Sequence, residues 1–150
     1  MDYQDFLERV SSSLLKRGWR PIEGRPEEFD LVVSREDITA LVRTKRMICF
    51  LRGNHLSRDE VHRVVERAHG LVDEMAMPPL FQRIAIVVFV FEKANGVEWI
   101  VEEARKRDIL RSNYTVSWIV DLTKGVLRRH KGLPLIRSGE GEINEALRLG

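Results

Sequence analysis

The chain has a single cysteine, Cys49, so no internal disulfide can form. Its setting in Met-Ile-Cys-Phe-Leu reads as a buried strand position instead of a reactive thiol. Long apolar runs are missing as well. The longest, 84–91, falls far short of the roughly 20 residues that cross a bilayer. The N-terminus opens with acids, where a secretory leader has a basic stretch and an apolar core. These absences predict a cytoplasmic protein with no membrane partner. An excess of one charge is also lacking: 25 Lys and Arg stand against 23 Asp and Glu, for a net charge of +2, which permits nucleic-acid binding without arguing for it. Neither a Gly-x-Gly-x-x-Gly fingerprint nor a phosphate loop occurs, so the commonest nucleotide-binding readings lose their support.

What is present suits one globular domain over residues 1–150, with 132–150 as a C-terminal tail or short helix. At 43% apolar and 32% charged the composition is that of an ordinary folded domain, and 150 residues bury roughly two-thirds of the surface the unfolded chain exposes. Asp2 caps a first helix over 3–17, with Tyr3, Leu7, Val10 and Leu14 at helical spacing and Gly18 placed to end it. Trp19 to Ile22 reads as a short strand that Pro21 pushes to a sheet edge. The best-specified helix follows Ser57, whose spacing to Glu60 makes a capping box, and Val61, Val64, Val65, Ala68, Leu71, Val72 and Met75 form its apolar face. Arg83 to Phe91 hardly alternates, as expected of a central strand covered on both faces. A third helix opens near Asn95 or Gly96. Tyr114 to Leu122 returns as a strand, and Lys124-Gly125 supplies the turn of a final hairpin ending at Arg128 to Lys131.

The stretch Glu28 to Lys45 reads as a hairpin, two apolar arms around the polar turn Ser34 to Asp37. With a four-residue loop, Val33 faces Ile38 and Asp30 faces Leu41, so Asp30 and Arg43 become diagonal neighbours about 7 Å apart at the backbone. That geometry yields either a structural ion pair or one face on which an Asp could hold a metal beside a water-orienting Lys. Beyond Lys45, Met47 to Leu51 is apolar on both faces, which leaves open whether the arm continues or breaks. On the helix after Ser57, His62, Glu66, His69 and Asp73 form a polar ridge. The two imidazoles lie about 10.5 Å apart along the axis, too far to share one ion, so the ridge reads as a solvated face with local ion pairs.

Helix, strand, hairpin, helix, central strand, with Glu8, Asp30 and Lys45 at those places, resembles the PD-(D/E)xK nuclease superfamily. Archaeal Holliday-junction resolvases are the nearest likeness. The resemblance covers roughly the N-terminal two-thirds, including Lys-Arg-Gly-Trp-Arg before the first strand and Ala-Leu-Val-Arg-Thr-Lys on the third. It implies an α/β, restriction-endonuclease-like mixed central sheet flanked by helices, in the order αβββαβ followed by an extra αββ. It also implies Asp30, Lys45 and Glu8 as catalytic residues of a Mg-dependent endodeoxyribonuclease. The chain departs where the family has its second acid, because Arg43 stands there. A guanidinium offers Mg²⁺ no oxygen ligand and repels it.

Three readings follow. A catalytically degenerate nuclease-like domain needs no cofactor and binds DNA or a protein partner, with Arg43, Lys45, Arg46 and Arg52 facing phosphates. An active endonuclease takes Asp30 and Glu66, or Glu60, as relocated metal ligands. A plain α/β interaction or scaffold domain resembles nucleases only in topology. The apolar segment Met75 to Phe81, stiffened by Pro78 and Pro79, either closes the core or exposes Met77, Leu80 and Phe81, and the second alternative predicts a homodimer.

Overall fold

The computed structural model describes residues 1–39, 42–74, 81–129 and 140–147. Helix α1 (Tyr3–Lys16) starts where Asp2 accepts the Asp5 N–H at 2.8 Å, and the chain leaves it through Gly18 at φ +92°, a conformation open to glycine because it has no Cβ. Helix α2 (Arg58–Asp73) begins with both halves of the capping box: the Glu60 N–H donates to Ser57 Oγ at 3.1 Å and the Ser57 N–H to Glu60 Oε1 at 3.2 Å.

Among the described residues these helices cover an open, mixed sheet of seven strands. The strands are β1 (Arg20–Pro21), β2 (Leu31–Thr39), β3 (Val42–Arg52), β4 (Phe81–Phe91), β5 (Lys106–Asp108), β6 (Asn113–Asp121) and β7 (Val126–Arg128). Their spatial order is β1-β2-β3-β4-β6-β5, with β7 also on β6. Strands β3, β4 and β6 run parallel, and the remaining pairs are antiparallel. Alternation of side chains sends β-strand residues to two separate cores. Phe6, Val10 and Leu14 of α1 and Ile143 of α4 (Glu140–Ala146) pack on Ile48, Ile86, Val88 and Trp118. On the other face Val61, Val65 and Ala68 of α2 and Ile100 of α3 (Trp99–Glu103) pack on Met47, Cys49, Val87 and Phe89. Burial pushes the Cys49 thiol pKa up, so it stays a protonated packing group.

The structure corrects the hairpin. Ser34 to Asp37 are not a turn. They lie inside β2 and pair with Met47, Arg46, Lys45 and Thr44, and the ladder continues to Thr39 opposite Val42. Strand β3 then runs unbroken to Arg52, which settles the question at Met47. Asp30 lies at the far end, its N–H donating to Phe50 O at 2.9 Å, so it does not neighbour Arg43; Leu41, its expected partner, lies outside the described residues. Asp30 and Arg43 should therefore show no coupling in a double-mutant stability cycle. Strand β5 was not anticipated, and α3 is shorter than the helix expected from Asn95. Met77, Leu80 and the side chain of Phe81 lie outside the described residues, as do His130 and Lys131.

Beyond Arg52, Gly53 donates its N–H to Val90 O at 2.8 Å and lies against the Phe91 ring, where an added Cβ would come within 2.3 Å of a ring carbon. Phe91 is only 5% exposed and has little room to move. Gly53→Ala should thus cost about 1–3 kcal/mol, the usual range for overpacking, and a urea midpoint unchanged from wild type would contradict this contact.

Candidate functional site

Polar residues at the end of the hairpin near residues 40–41 sort by face. Toward α1, Arg46 is 2% exposed and its Nη1 donates to Asp37 Oδ2. Arg35 donates to the same oxygen from Nε at 3.3 Å and Nη2 at 3.1 Å, and from Nη1 to Arg17 O at 2.9 Å. Its guanidinium carbon lies 5.0 Å from the Trp19 ring centroid. Two guanidiniums thus converge on one carboxylate inside the fold, which offsets part of the cost of burying their charge. Arg46 is therefore a structural residue and not the phosphate-facing one expected.

At the opposite end of the hairpin, Asp30 accepts the Tyr3 hydroxyl on Oδ2. Tyr3 is 3% exposed, and burial first, then this bond to a carboxylate, pushes its phenol pKa far up. The pairing places Asp30 beside Leu51, six residues along β3 from Lys45, a separation of about 20 Å at roughly 3.3 Å per residue. Arg43 is farther still. Glu8 lines a shallow hollow that Asp30 also borders. Asp30 and Glu66 both line a larger cleft of about 970 Å³, together with Arg52 and Glu60. Glu66 is engaged, however, its Oε1 taking Lys106 Nζ at 3.0 Å. Among the described residues no group of three or more His, Cys, Asp or Glu side chains is arranged to hold a metal ion. These residues do not fit the Mg²⁺ that an active nuclease of this type needs.

Toward α2 the end of the sheet nearer residues 40–41 is basic. Lys45 pairs in register with Arg83, and Arg83 with Asn113, so three strands present these residues in one row on the α2 face. Around the row most charges are matched. Arg43 Nη1 lies 3.8 Å from Glu36 Oε1, Arg111 Nη1 contacts both Asp73 oxygens at 2.9 and 2.7 Å, and Asn113 Nδ2 donates to Asp73 Oδ1 at 2.6 Å. Among the described residues Arg83 Nη1 reaches the Asp73 carbonyl alone, at 3.4 Å. Among the described residues no carboxylate lies within ion-pairing distance of Lys45 or Arg83. The α2 ridge is thus more than a solvated face, since His69 Nδ1 also meets the buried Thr115 Oγ1 at 2.8 Å. Burial, and after it Lys106, holds the His69 pKa below its ordinary value.

Reasoning from the sequence missed Arg83 and Arg111 here. A charged residue heading an otherwise apolar run was the available signal for Arg83. Nothing in the local pattern marks Arg111.

The hydrogen bonds from Arg111, foremost, hold the Asp73 carboxyl below the usual carboxylate range. A carboxyl whose folded pKa lies below its unfolded value near 3.9 adds stability above that value, and this stability is lost as the pH falls through the folded pKa. Arg111→Ala should raise the Asp73 pKa toward the ordinary value. Carboxylate carbon chemical shifts followed against pH supply the test, and an unmoved titration would mean that Arg111 is not its partner.

The fold and this site define an α/β protein with an open mixed sheet, carrying a cleft at one end of the β2–β3 hairpin and a basic row at the other. No family model, curated protein or solved structure matches the chain.

Proposed function

We propose that this protein is a non-catalytic domain of the restriction-endonuclease-like type that holds the phosphate backbone of DNA on the row Lys45–Arg83. The order α1-β1-β2-β3-α2-β4, with β1, β2 and β3 antiparallel and β4 parallel to β3, supports the nuclease-like part of the reading. The loss of catalysis rests on the roughly 20 Å between Asp30 and Lys45 and on Arg43 in place of an acid. The observation that carries the binding function is the pair Lys45 and Arg83, two adjacent cations on paired strands without a carboxylate of their own among the described residues. Arg43 and Arg111 extend the row but share their charge with Glu36 and Asp73, and Arg52 stands at the other end of β3.

Because so much of the local charge is matched, binding is weak and of micromolar order. Two freed phosphate contacts correspond to a slope of about −2 in log affinity against log salt. Fluorescence anisotropy of a labelled duplex at several salt concentrations tests this, with Lys45→Gln and Arg83→Gln each expected to lower the slope by about 1. The same preparation should leave duplex and branched DNA uncut with Mg²⁺ or Mn²⁺, and cleavage that Lys45→Ala abolishes would restore the active-enzyme reading.

A protein partner is the second reading, favoured by the exposed apolar side chains of Ile38, Ile109 and Leu110, which are 67%, 64% and 99% exposed. All three lie near the same end of the sheet as Lys45, and the backbone of Phe81 pairs there with Arg43. A second copy of this chain is the partner to examine first, because contact near Phe81 is what the homodimer expectation requires. Sedimentation equilibrium decides it, and a monomer throughout the micromolar range removes the dimer.

A further inference from the structure

The cleft at the other end of the hairpin lies at the carboxyl end of β3, between α1 on one face of the sheet and α2 on the other. In open α/β sheets this is the end at which ligands settle, in the crevice left between chain segments that diverge to the two faces. Its volume of about 970 Å³ sits at the top of the roughly 300–1,000 Å³ typical of small-molecule sites. Leu51, Leu56 and Val64 supply apolar lining.

Several of the charged groups around it are already engaged: Glu28 contacts Arg67 at 3.5 Å, Glu66 contacts Lys106 at 3.0 Å, and Glu60 accepts the Ser57 N–H at 3.2 Å. Three groups are left. Arg63 on α2 and Arg52 at the end of β3 have no carboxylate at ion-pairing distance among the described residues. Asp30 accepts Tyr3 on Oδ2, and its Oδ1 has no donor among the described residues. The Arg52 guanidinium carbon stands 4.6 Å from the Tyr3 ring centroid, so a flat cation backed by a buried ring forms part of the wall.

These groups call for a ligand with an anionic end for Arg63, a flat body to lie on the Arg52 guanidinium, and an N–H donor for Asp30 Oδ1. Inorganic phosphate meets only the first demand and leaves the apolar lining in water. A neutral nucleoside meets only the second and third. We propose that the cleft binds a free nucleoside monophosphate, with its phosphate on Arg63, its base stacked on Arg52 and its exocyclic amine donating to Asp30. The site is independent of the DNA-binding row, from which the hairpin separates it by about 20 Å.

Calorimetric titration of the full chain with AMP and with GMP, beside adenosine and inorganic phosphate, tests the proposal. At least one nucleotide should bind with a submillimolar Kd, and adenosine and phosphate at least tenfold more weakly. Arg63→Gln should weaken the nucleotide roughly tenfold or more, as loss of a charge-assisted contact does, and leave adenosine unchanged. Asp30→Asn retains an acceptor for Tyr3 but turns a donor toward the base, and should weaken nucleotide and adenosine alike. Lys45→Gln should change neither. Saturation by neither nucleotide at about 1 mM, or wild-type affinity in Arg63→Gln, overturns the proposal. Arg63 is exposed, so its variant carries the test even if Asp30→Asn fails to fold. In a Lys45→Gln, Arg83→Gln background, which removes the DNA-binding row, tighter binding of a 5′-phosphorylated oligonucleotide than of either mononucleotide would also overturn it, by assigning the cleft to a nucleic-acid end.

Discussion

Asp37→Ala is expected to destabilise the protein by about 3 kcal/mol, although Asp37 is a polar residue on a strand that a sequence reading takes for a turn. Its carboxylate accepts from Arg46, whose side chain is 3% exposed, and from Arg35, whose side chain is 15% exposed. Removing one partner of such a cluster leaves guanidinium charge buried without the carboxylate it was placed for, which typically costs about 3–5 kcal/mol. The lower end applies because the Asp37 side chain is itself 28% exposed and water screens part of the attraction. Arg46→Met should cost less, because the stem keeps its packing and Asp37 keeps Arg35. Urea unfolding of both variants measures this. A loss below about 0.5 kcal/mol in Asp37→Ala would mean that the cluster is no more than a surface pair.

Phe89→Ala should be more damaging still, by about 4 kcal/mol. Phe89 is fully buried, on a strand flanked by β3 and β6, and it packs in the core beneath α2 and α3. Truncating a buried Phe forfeits its transfer energy and leaves a cavity that a strand hydrogen-bonded on both edges cannot collapse to fill. A loss under 2 kcal/mol by thermal or chemical denaturation would show that β4 is not the centre of the sheet.

Those two residues mark the limits of what the sequence discloses. Phe89 stands in a run of Ile, Val and Phe without alternation, as a strand covered on both faces shows, so its place was readable. The start of α2 was equally plain, because Ser57 and Glu60 carry the capping box in their spacing. Asp37 was misread because Ser34 to Asp37 have the composition of a turn. What makes them strand is a set of long-range contacts, Arg46 on the next strand, Arg17 O and the Trp19 ring, none of which local pattern reveals. The same misreading put Asp30 beside Arg43 when it belongs beside Leu51. Strand β5, Lys106 to Asp108, shows no apolar signal because it is an edge paired only with β6. As for the basic row, the sequence offered Lys45 as a candidate but not Arg83, since the Arg83–Lys45 pairing depends on the parallel register of β3 and β4, which joins two positions 38 apart in sequence.

On the reading proposed, a nuclease-like fold without a converged metal site binds DNA through Lys45 and Arg83. The most direct measurement is the affinity of wild type and of the Lys45→Gln, Arg83→Gln double variant for one labelled duplex across a salt series. Micromolar wild-type binding at low salt with a log–log slope of about −2, and near-complete loss of both affinity and slope in the double variant, are expected. Undiminished binding by the double variant, or no wild-type binding at low salt, would contradict it.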